Sequence, residues 1–322
     1  MNVLVDTLSI SWKYDNIYTI ISFLNLTEVP WQPLRLRHYE GGQYYEGIVM
    51  GWNYDEKGSV IDTFLDLSGK GCRMVEHFNP NFNWEQFILQ YIEEMKTGDC
   101  HVARIDIAGD DKEEKILDID QIRDLSMKGY YVCKSKVLPD VRYKRTEEVY
   151  FGSPKSDRLL RIYNKALEQG LPDEHWIRVE FQLRNDNALS FILNWASHPI
   201  GQTFAGVLIN YLRFLDPDQI DDIDAVKRNF NACRYPTVDW WDRFVSGASA
   251  LSQIYLPAPE YTLDRIERYI KHQTMSSLKT YLIAHGHDLN ELMALLRRKE
   301  LTPKQKQLLA SLPQIKPEDY EF

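Results

Sequence analysis

The run Arg158-Leu159-Leu160-Arg161-Ile162-Tyr163-Asn164-Lys165 carries the residues with the clearest capacity for chemistry. From Leu159 it reads as a strand. Strand side chains alternate faces, so Arg161, Tyr163 and Lys165 share one side while Leu160, Ile162 and Asn164 share the other. A phenol held between two cations is a candidate nucleophile, because a free tyrosine ionises only near pH ~10 and adjacent positive charge favours the phenolate. The same cations would attract a phosphate. On spacing alone the ordinary reading, an aromatic strand residue flanked by surface charge, is much the commoner, and other strands must raise the catalytic one.

Three other strands bear on the choice. In Arg104-Ile105-Asp106-Ile107-Ala108-Gly109-Asp110 the alternation sets Arg104, Asp106, Ala108 and Asp110 opposite Ile105 and Ile107. In Ile177 to Arg184 it sets Arg178, Glu180, Gln182 and Arg184 opposite Ile177, Val179, Phe181 and Leu183. In Phe64 to Gly69 it sets Asp66 and Ser68 opposite Leu65 and Leu67. Antiparallel sheets commonly put one face on the core and one in water. Here each strand centre carries a carboxylate or the tyrosine, usually with Arg or Lys two residues away. If the strands are neighbours, Asp66, Asp106 and Glu180 converge beside Tyr163 as an all-oxygen site suited to Mg²⁺ or Mn²⁺. The competing reading, a lattice of exposed ion pairs each contributing about 0–1 kcal/mol, stands level with it on pattern alone.

Taken together, the motifs resemble the rolling-circle replication initiators of staphylococcal-type plasmids, the Rep-trans family, and the related MobT relaxases of integrative conjugative elements. The resemblance rests on Val5-Asp6-Thr7-Leu8-Ser9-Ile10, Leu67-Ser68-Gly69-Lys70-Gly71-Cys72-Arg73, Arg104-Ile105-Asp106, Phe151-Gly152-Ser153 with Ser156-Asp157-Arg158, Arg161-Ile162-Tyr163-Asn164-Lys165 and Trp176-Ile177-Arg178-Val179-Glu180, in that order. It implies a nicking tyrosine at Tyr163, acidic metal positions at Asp66, Asp106 and Glu180, and Arg161, Lys165 and Arg178 as phosphate-neutralising cations. It further implies a supercoiled or cruciform plasmid origin as substrate, a host helicase and polymerase as partners, and a homodimer. The expected reaction is strand transesterification giving a 5′-phosphotyrosine and a 3′-hydroxyl primer, with later rejoining. A conjugative relaxase is the alternative within the class, set lower because no additional DNA-binding domain precedes Val5. A non-catalytic origin-binding protein is the alternative outside it.

Composition sets the bounds. The 322 residues are 44% hydrophobic and 26% charged, as in ordinary globular chains, which excludes wholesale disorder. No apolar run reaches membrane-spanning length and the first residues lack a basic start before an apolar block, so no membrane partner and a cytoplasmic location are expected. Cys72, Cys100, Cys133 and Cys233 are scattered without metal-binding spacing and read as reduced thiols. A net charge of −9 argues against indiscriminate coating of nucleic acid. Any DNA contact must use local basic surface, such as Lys134, Lys136, Arg142, Lys144 and Arg145 with Lys155 and Arg158.

The elements that must position these residues follow in order. Leu4 to Trp12 reads as a strand and Ile17 to Leu26 as a helix. Leu34 to Tyr39, Gln43 to Trp52 and Ser59 to Leu67 form an antiparallel meander punctuated by Gly41-Gly42 and the 53–58 turn. Ser68-Gly69-Lys70-Gly71-Cys72-Arg73 reads as a turn near DNA, since it lacks a phosphate-loop pattern. Asn83 with Gln86 suggests a capping box opening a helix through Phe87, Ile88, Tyr91, Ile92 and Met95 to Gly98. A helix over Ile119 to Met127, strands over 130–137, 148–152 and 159–165, the Glu180 strand, and core helices over Ala188–Trp195 and Phe204–Phe214 complete this part. Trp240-Trp241 reads as packing rather than base stacking.

The fold expected is α+β, a twisted, largely antiparallel sheet with helices on one face, followed by a mainly helical C-terminal region. Residues 1–223 are read as a catalytic nicking and joining domain, and residues 224–322 as a helical region for support, dimerisation or origin recognition.

Overall fold

The structure is a computed structural model that describes residues 2–135, 138–142, 147–228, 234–251, 270, 274–301, 303–310 and 312. The chain divides into two compact units, Met1–Leu256 and Pro257–Phe322. The first holds every residue discussed as a site. In the second, α11 (Met275–Ala284), α12 (Leu289–Arg298) and α13 (Pro303–Ala310) are described, and Asp288 caps α12 by accepting from the Asn290 amide at 2.8 Å.

Among the described residues, the first unit is built on one ten-stranded sheet. Its strands are β1 (Asn2–Trp12), β2 (Gln32–Pro33), β3 (Gly41–Tyr45), β4 (Ile48–Tyr54), β5 (Val60–Leu67), β6 (Cys100–Asp111), β8 (Asp140–Arg142), β9 (Glu148–Phe151), β10 (Arg158–Asn164) and β11 (Ile177–Arg184). The order across the sheet is β2-β3-β4-β5-β1-β6-β11-β10-β9-β8, every neighbouring pair antiparallel. A small second sheet pairs β7 (Tyr131–Cys133) with β12 (Leu212–Phe214). The expected α+β architecture is the one observed. An antiparallel meander is present, but not with the predicted bounds: residues 34–39 form no strand, Gly41-Gly42 lies inside β3 rather than in a turn, and the strand read over Gln43–Trp52 is the β3–β4 hairpin, turned at Glu46 and Gly47, which both have positive φ.

The alternation read from the sequence decides the faces. Leu8, Ile10, Leu65, Leu67, Ile105, Ile107, Leu160, Ile162, Val179 and Phe181 are all buried in a single core. Onto the same side pack α7 (Asn185–Trp195), α8 (Ile200–Tyr211) and α10 (Asp239–Ser249), which contribute Phe191, Phe204, Trp241 and Phe244 to that core. Gly109 is the close-approach point: a Cβ there would stand 2.8 Å from Phe204 Cε1 and 3.2 Å from Phe244 Cζ. Trp241 is fully buried beside Phe214 and Phe244, the packing role expected of it.

Three other local expectations change. The glycine-rich 68–73 segment opens a helix, α2 (Gly69–Phe78), with the Ser68 hydroxyl accepting from the Gly71 amide at 3.4 Å. A Cβ on Gly71 would meet the Gly47 carbonyl oxygen at 2.2 Å, so the glycines allow the helix start to lie against the β3–β4 turn. The helix expected over 86–98 is two short ones, α3 (Trp84–Leu89), capped by Asn83 as predicted, and α4 (Ile92–Thr97), ended by left-handed Gly98. The helix expected to run to Phe214 stops at Tyr211 because Leu212, Arg213 and Phe214 pair with Cys133, Val132 and Tyr131.

Candidate active site on the polar face of the sheet

Register assembles the site. Because cross-strand partners in an antiparallel pair point to the same face, the ladders fix rows of side chains on the face away from α7 and α8. One row runs Asp110, Arg178, Tyr163, Glu148 across β6, β11, β10 and β9. The next runs Ala108, Glu180, Arg161, Tyr150. A third holds Thr7, Asp106, Gln182 and Leu159, and a fourth holds Asp66, Ser9, Arg104 and Arg184. The sequence placed these residues on polar faces of separate strands, and the sheet order makes β6, β11 and β10 adjacent.

Tyr163 is 4% exposed, and its hydroxyl donates to Glu180 Oε2 at 2.9 Å. Arg161 donates to the other oxygen, Oε1. Glu180 is therefore fully buried yet satisfied on both oxygens, between a guanidinium and a phenol. The Arg161 guanidinium lies 5.5 Å from the Tyr163 ring centroid and the Lys165 ammonium 5.6 Å. The flanking cations were expected to favour phenolate. The structure corrects this: burial raises the Tyr163 pKa above its ordinary value and the Glu180 charge raises it further, against a smaller opposite effect of Arg178. The resting tyrosine is thus a neutral phenol with a carboxylate already bonded to its proton.

Lys165 reaches the tyrosine by a different route from the one predicted. The strand ends at Asn164, whose side chain caps the short helix α6 (Lys165–Glu168) by accepting from the Leu167 amide at 3.1 Å. Lys165 is the first residue of that helix and pairs with Glu168. Strand alternation does not extend to it, but the turn brings its ammonium back over the ring.

The other acids are held by arginines. Arg104 grips Asp106 with Nε donating to Oδ1 at 2.8 Å and Nη2 to Oδ2. Arg178, 4% exposed, donates from Nε and Nη2 to Asp110 at 2.7 and 2.8 Å and from Nη1 to Asp6 Oδ1 at 2.6 Å. Burial pushes the Asp106 carboxyl up to about 6, the Arg104 bond offsetting part of the rise and Glu180 adding to it. At Asp6 burial also favours the neutral acid, but Arg178, with Lys165, Arg73 and Arg161, outweighs it and holds the pKa below the ordinary 3.8. The face is not the solvated lattice of the simple pattern argument. Its carboxylates lie buried beneath the arginines, and Arg104 and Arg161 keep side-chain exposures of 30% and 32%.

Asp6 is the residue that strand reading missed. The β1–β6 register shifts between Val5, opposite Ile107, and Thr7, opposite Asp106, so Asp6 is the extra residue of a bulge. Bulges re-aim side chains, and this one carries Asp6 out of the alternation that placed it with Leu4 and Leu8. The only sequence signal was its presence in the Val5-Asp6-Thr7 motif.

Asp66 is not brought to the others. It lies on β5, where it accepts from the Ser9 hydroxyl of β1, and stands three strands from Glu180, about 14 Å at ordinary strand spacing. Among the described residues no group of three His, Cys, Asp or Glu could hold a metal ion. Asp106 and Glu180, on adjacent strands one row apart, are the predicted ligands that do come together. Mg²⁺ is commonly held by one or two carboxylates, waters and substrate phosphate, so these hard oxygen donors suit such an ion by type, although Arg104 engages both oxygens of Asp106, and Tyr163 with Arg161 both of Glu180. Of the predicted basic surface, Lys134, Arg142, Lys155 and Arg158 are described, while Lys136, Lys144 and Arg145 lie outside the described residues.

A family model described as replication initiation factor, Rep_trans, matches residues 100–296, more than half of the chain. The chain belongs to this family. The matched span contains Asp106, Arg161, Tyr163, Lys165, Arg178 and Glu180, whereas Asp6 and Asp66 precede it. The chain is similar to a putative DNA relaxase, NicK, of Bacillus subtilis strain 168, with 24% identity over 277 residues, covering 79% of this chain and 72% of the relative. Among solved structures it is similar to a rolling circle replication initiator protein from Geobacillus stearothermophilus, with a TM-score of 0.64 and 22% identity over 79% of this chain and 99% of that one. The two chains share their fold at low identity. Among the described residues no helix is long and apolar enough to cross a membrane.

Proposed function

We propose that the protein is a rolling-circle replication initiator that nicks one strand at a plasmid double-strand origin with Tyr163 as nucleophile. The observation that carries this is the Tyr163 hydroxyl bonded at 2.9 Å to a buried carboxylate, among guanidiniums, in a Rep_trans chain. As Glu180 takes the phenolic proton, the Tyr163 oxygen attacks the scissile phosphorus. The bond from phosphorus to the 3′ oxygen breaks, leaving a 5′-phosphotyrosine and, after protonation, a 3′-hydroxyl for a host polymerase to extend. Attack of a 3′-hydroxyl on the phosphotyrosine reverses these steps and rejoins the strand. Arg161 and Lys165 neutralise the charge that grows on the phosphate. Arg178 acts from below, holding Asp6 and Asp110 in place and favouring the ionised form of Asp6.

Mg²⁺ or Mn²⁺ fits this reading with Asp106 as the protein ligand, since Glu180 is the proton acceptor for Tyr163. When bound it would polarise a phosphate oxygen. The nicking and joining chemistry is assigned to residues 1–223. Support, dimerisation or origin recognition is assigned to residues 224–322, with a host helicase as partner at the fork.

The test is incubation of the protein with supercoiled plasmid carrying its cognate origin and Mg²⁺, followed by a denaturing gel and peptide mapping. A DNA-linked peptide containing Tyr163, absent in Tyr163→Phe although origin binding persists, is the expected result. Binding with no adduct even in wild type would leave a non-catalytic origin-binding protein. The similarity to the NicK relaxase supports a second reading, nicking at a transfer origin of an integrative element. Mapping the nick to a transfer origin rather than a replication origin would select it.

A further inference from the structure

Arg184 is an arginine of the polar face that none of the chemistry above uses. Arg184 closes β11 and stands directly across from Arg104 of β6, on the same face as Tyr163. Like charges opposite one another on a ladder repel. Arg104 is committed to Asp106, but among the described residues no carboxylate pairs with Arg184, and its Nε is buried with no hydrogen-bond partner. Between Arg184 and Glu180 lies Gln182, 6% exposed, whose Nε2 is also buried and unpartnered. Leaving a buried donor unmet is costly, and here two such donors follow one another on the side of Glu180 away from the Tyr163–Arg178 row.

We infer that Arg184, with Arg104 across the ladder and Gln182 beside it, is a second phosphate-binding subsite, which holds a phosphodiester of the cleaved strand away from the scissile one. Arg184 lies four positions along the strand from Glu180, about 13 Å at the usual rise. That distance is within reach of a phosphate a few nucleotides along a single strand whose scissile phosphate lies at Tyr163. A guanidinium presents a planar fork that matches phosphate oxygens. An anion between Arg104 and Arg184 would also relieve their repulsion. The subsite rests on the nicking reading, because it is the phosphate at Tyr163 that fixes where the strand lies. Its consequence is register: the enzyme would position the scissile bond by gripping the strand at two phosphates.

The test uses full-length protein carrying Tyr163→Phe, so that binding is read without chemistry. The probes are single-stranded oligonucleotides of the mapped nick sequence with a neutral methylphosphonate at one position at a time. With Arg184 intact, affinity should fall roughly tenfold or more at the scissile position and at one further position. Adding Arg184→Ala should cause a similar loss on unmodified DNA, lower the salt slope by about one, and abolish sensitivity at that further position alone. Arg184→Lys should restore part of the affinity, which a misfolded variant would not. Unchanged affinity in Arg184→Ala, or a loss spread equally over every position, overturns the subsite. Absence of a wild-type covalent adduct in the separate nicking assay would instead overturn the reading on which it rests.

Discussion

The Tyr163 hydroxyl donates to Glu180 Oε2 at 2.9 Å across the β10–β11 ladder, one row off direct register, since Glu180 is paired with Arg161 and Tyr163 with Arg178. This diagonal contact lets one carboxylate hold the nucleophile's proton while its second oxygen is held by the cation that would meet the phosphate. It also makes burial compatible with reactivity. The phenol stays neutral until a phosphate arrives and is deprotonated only as it attacks.

Glu180→Gln should therefore lower the rate of covalent adduct formation by about 10²- to 10⁴-fold, the range for loss of a general base. Binding of uncleaved origin DNA should change far less. Single-turnover adduct formation beside a binding isotherm checks this. Equal losses in both would mean that Glu180 serves only to shape the site.

Arg178→Ala removes the partner of two acids at once. Asp110 and Asp6 would be left as uncompensated carboxylates, a change that costs about 3–5 kcal/mol when the charges are buried. The midpoint of thermal unfolding should fall by about 10 °C for a unit of this size. Arg178→Lys should recover little, because one ammonium cannot reproduce the paired bonds to Asp110 and the third bond to Asp6.

Stability should show a pH signature at Glu76. Burial pushes this carboxyl from its ordinary 4.5 up to about 7, although Arg73 and the Trp84 indole both donate to Oε1, at 2.8 and 2.7 Å. The folded state then binds a proton that the unfolded state has released, so stability falls as pH rises from about 4.5 to about 7 and levels off above. Relative to Glu76→Gln, which does not titrate, wild type should lose on the order of 3 kcal/mol across that window. Denaturant unfolding of both proteins from pH 4 to 8 measures it, and parallel curves would refute it.

DNA topology should matter. The nucleophile lies flat on a sheet floor, and a base pair cannot be pressed against such a surface without unstacking, which costs a few kcal/mol. Supercoiled or cruciform origin DNA should be nicked far faster than the same sequence as relaxed duplex. Equal rates in a time course would count against a floor that acts on unpaired DNA.

Period-two alternation was legible in the chain wherever strands were regular. It put Arg104, Asp106, Arg178, Glu180, Arg161 and Tyr163 on polar faces, and it put Ile105, Val179 and Ile162 in the core, because a strand has only two sides. The alternation failed at Asp6, where one inserted residue reverses the faces, and at Lys165, where the strand gives way to a helical turn. The 68–73 segment was read as a turn because its glycines hide a helix start that only contact with Gly47 explains.

The residue types, and the face each one takes along its own strand, were written in the amino-acid sequence itself. Which strands lie side by side was not, since hydrogen bonds between backbones are the same whatever the side chains. Strand order and register alone decided that Glu180 meets Tyr163, that Asp106 joins them on the adjacent strand, and that Asp66, identical in local pattern, stands three strands away. Burial, too, was decided only when the sheet closed: arginines folded over the acids, turned an apparently solvated surface into a desolvated floor, and raised the tyrosine pKa that isolated charges had been expected to lower.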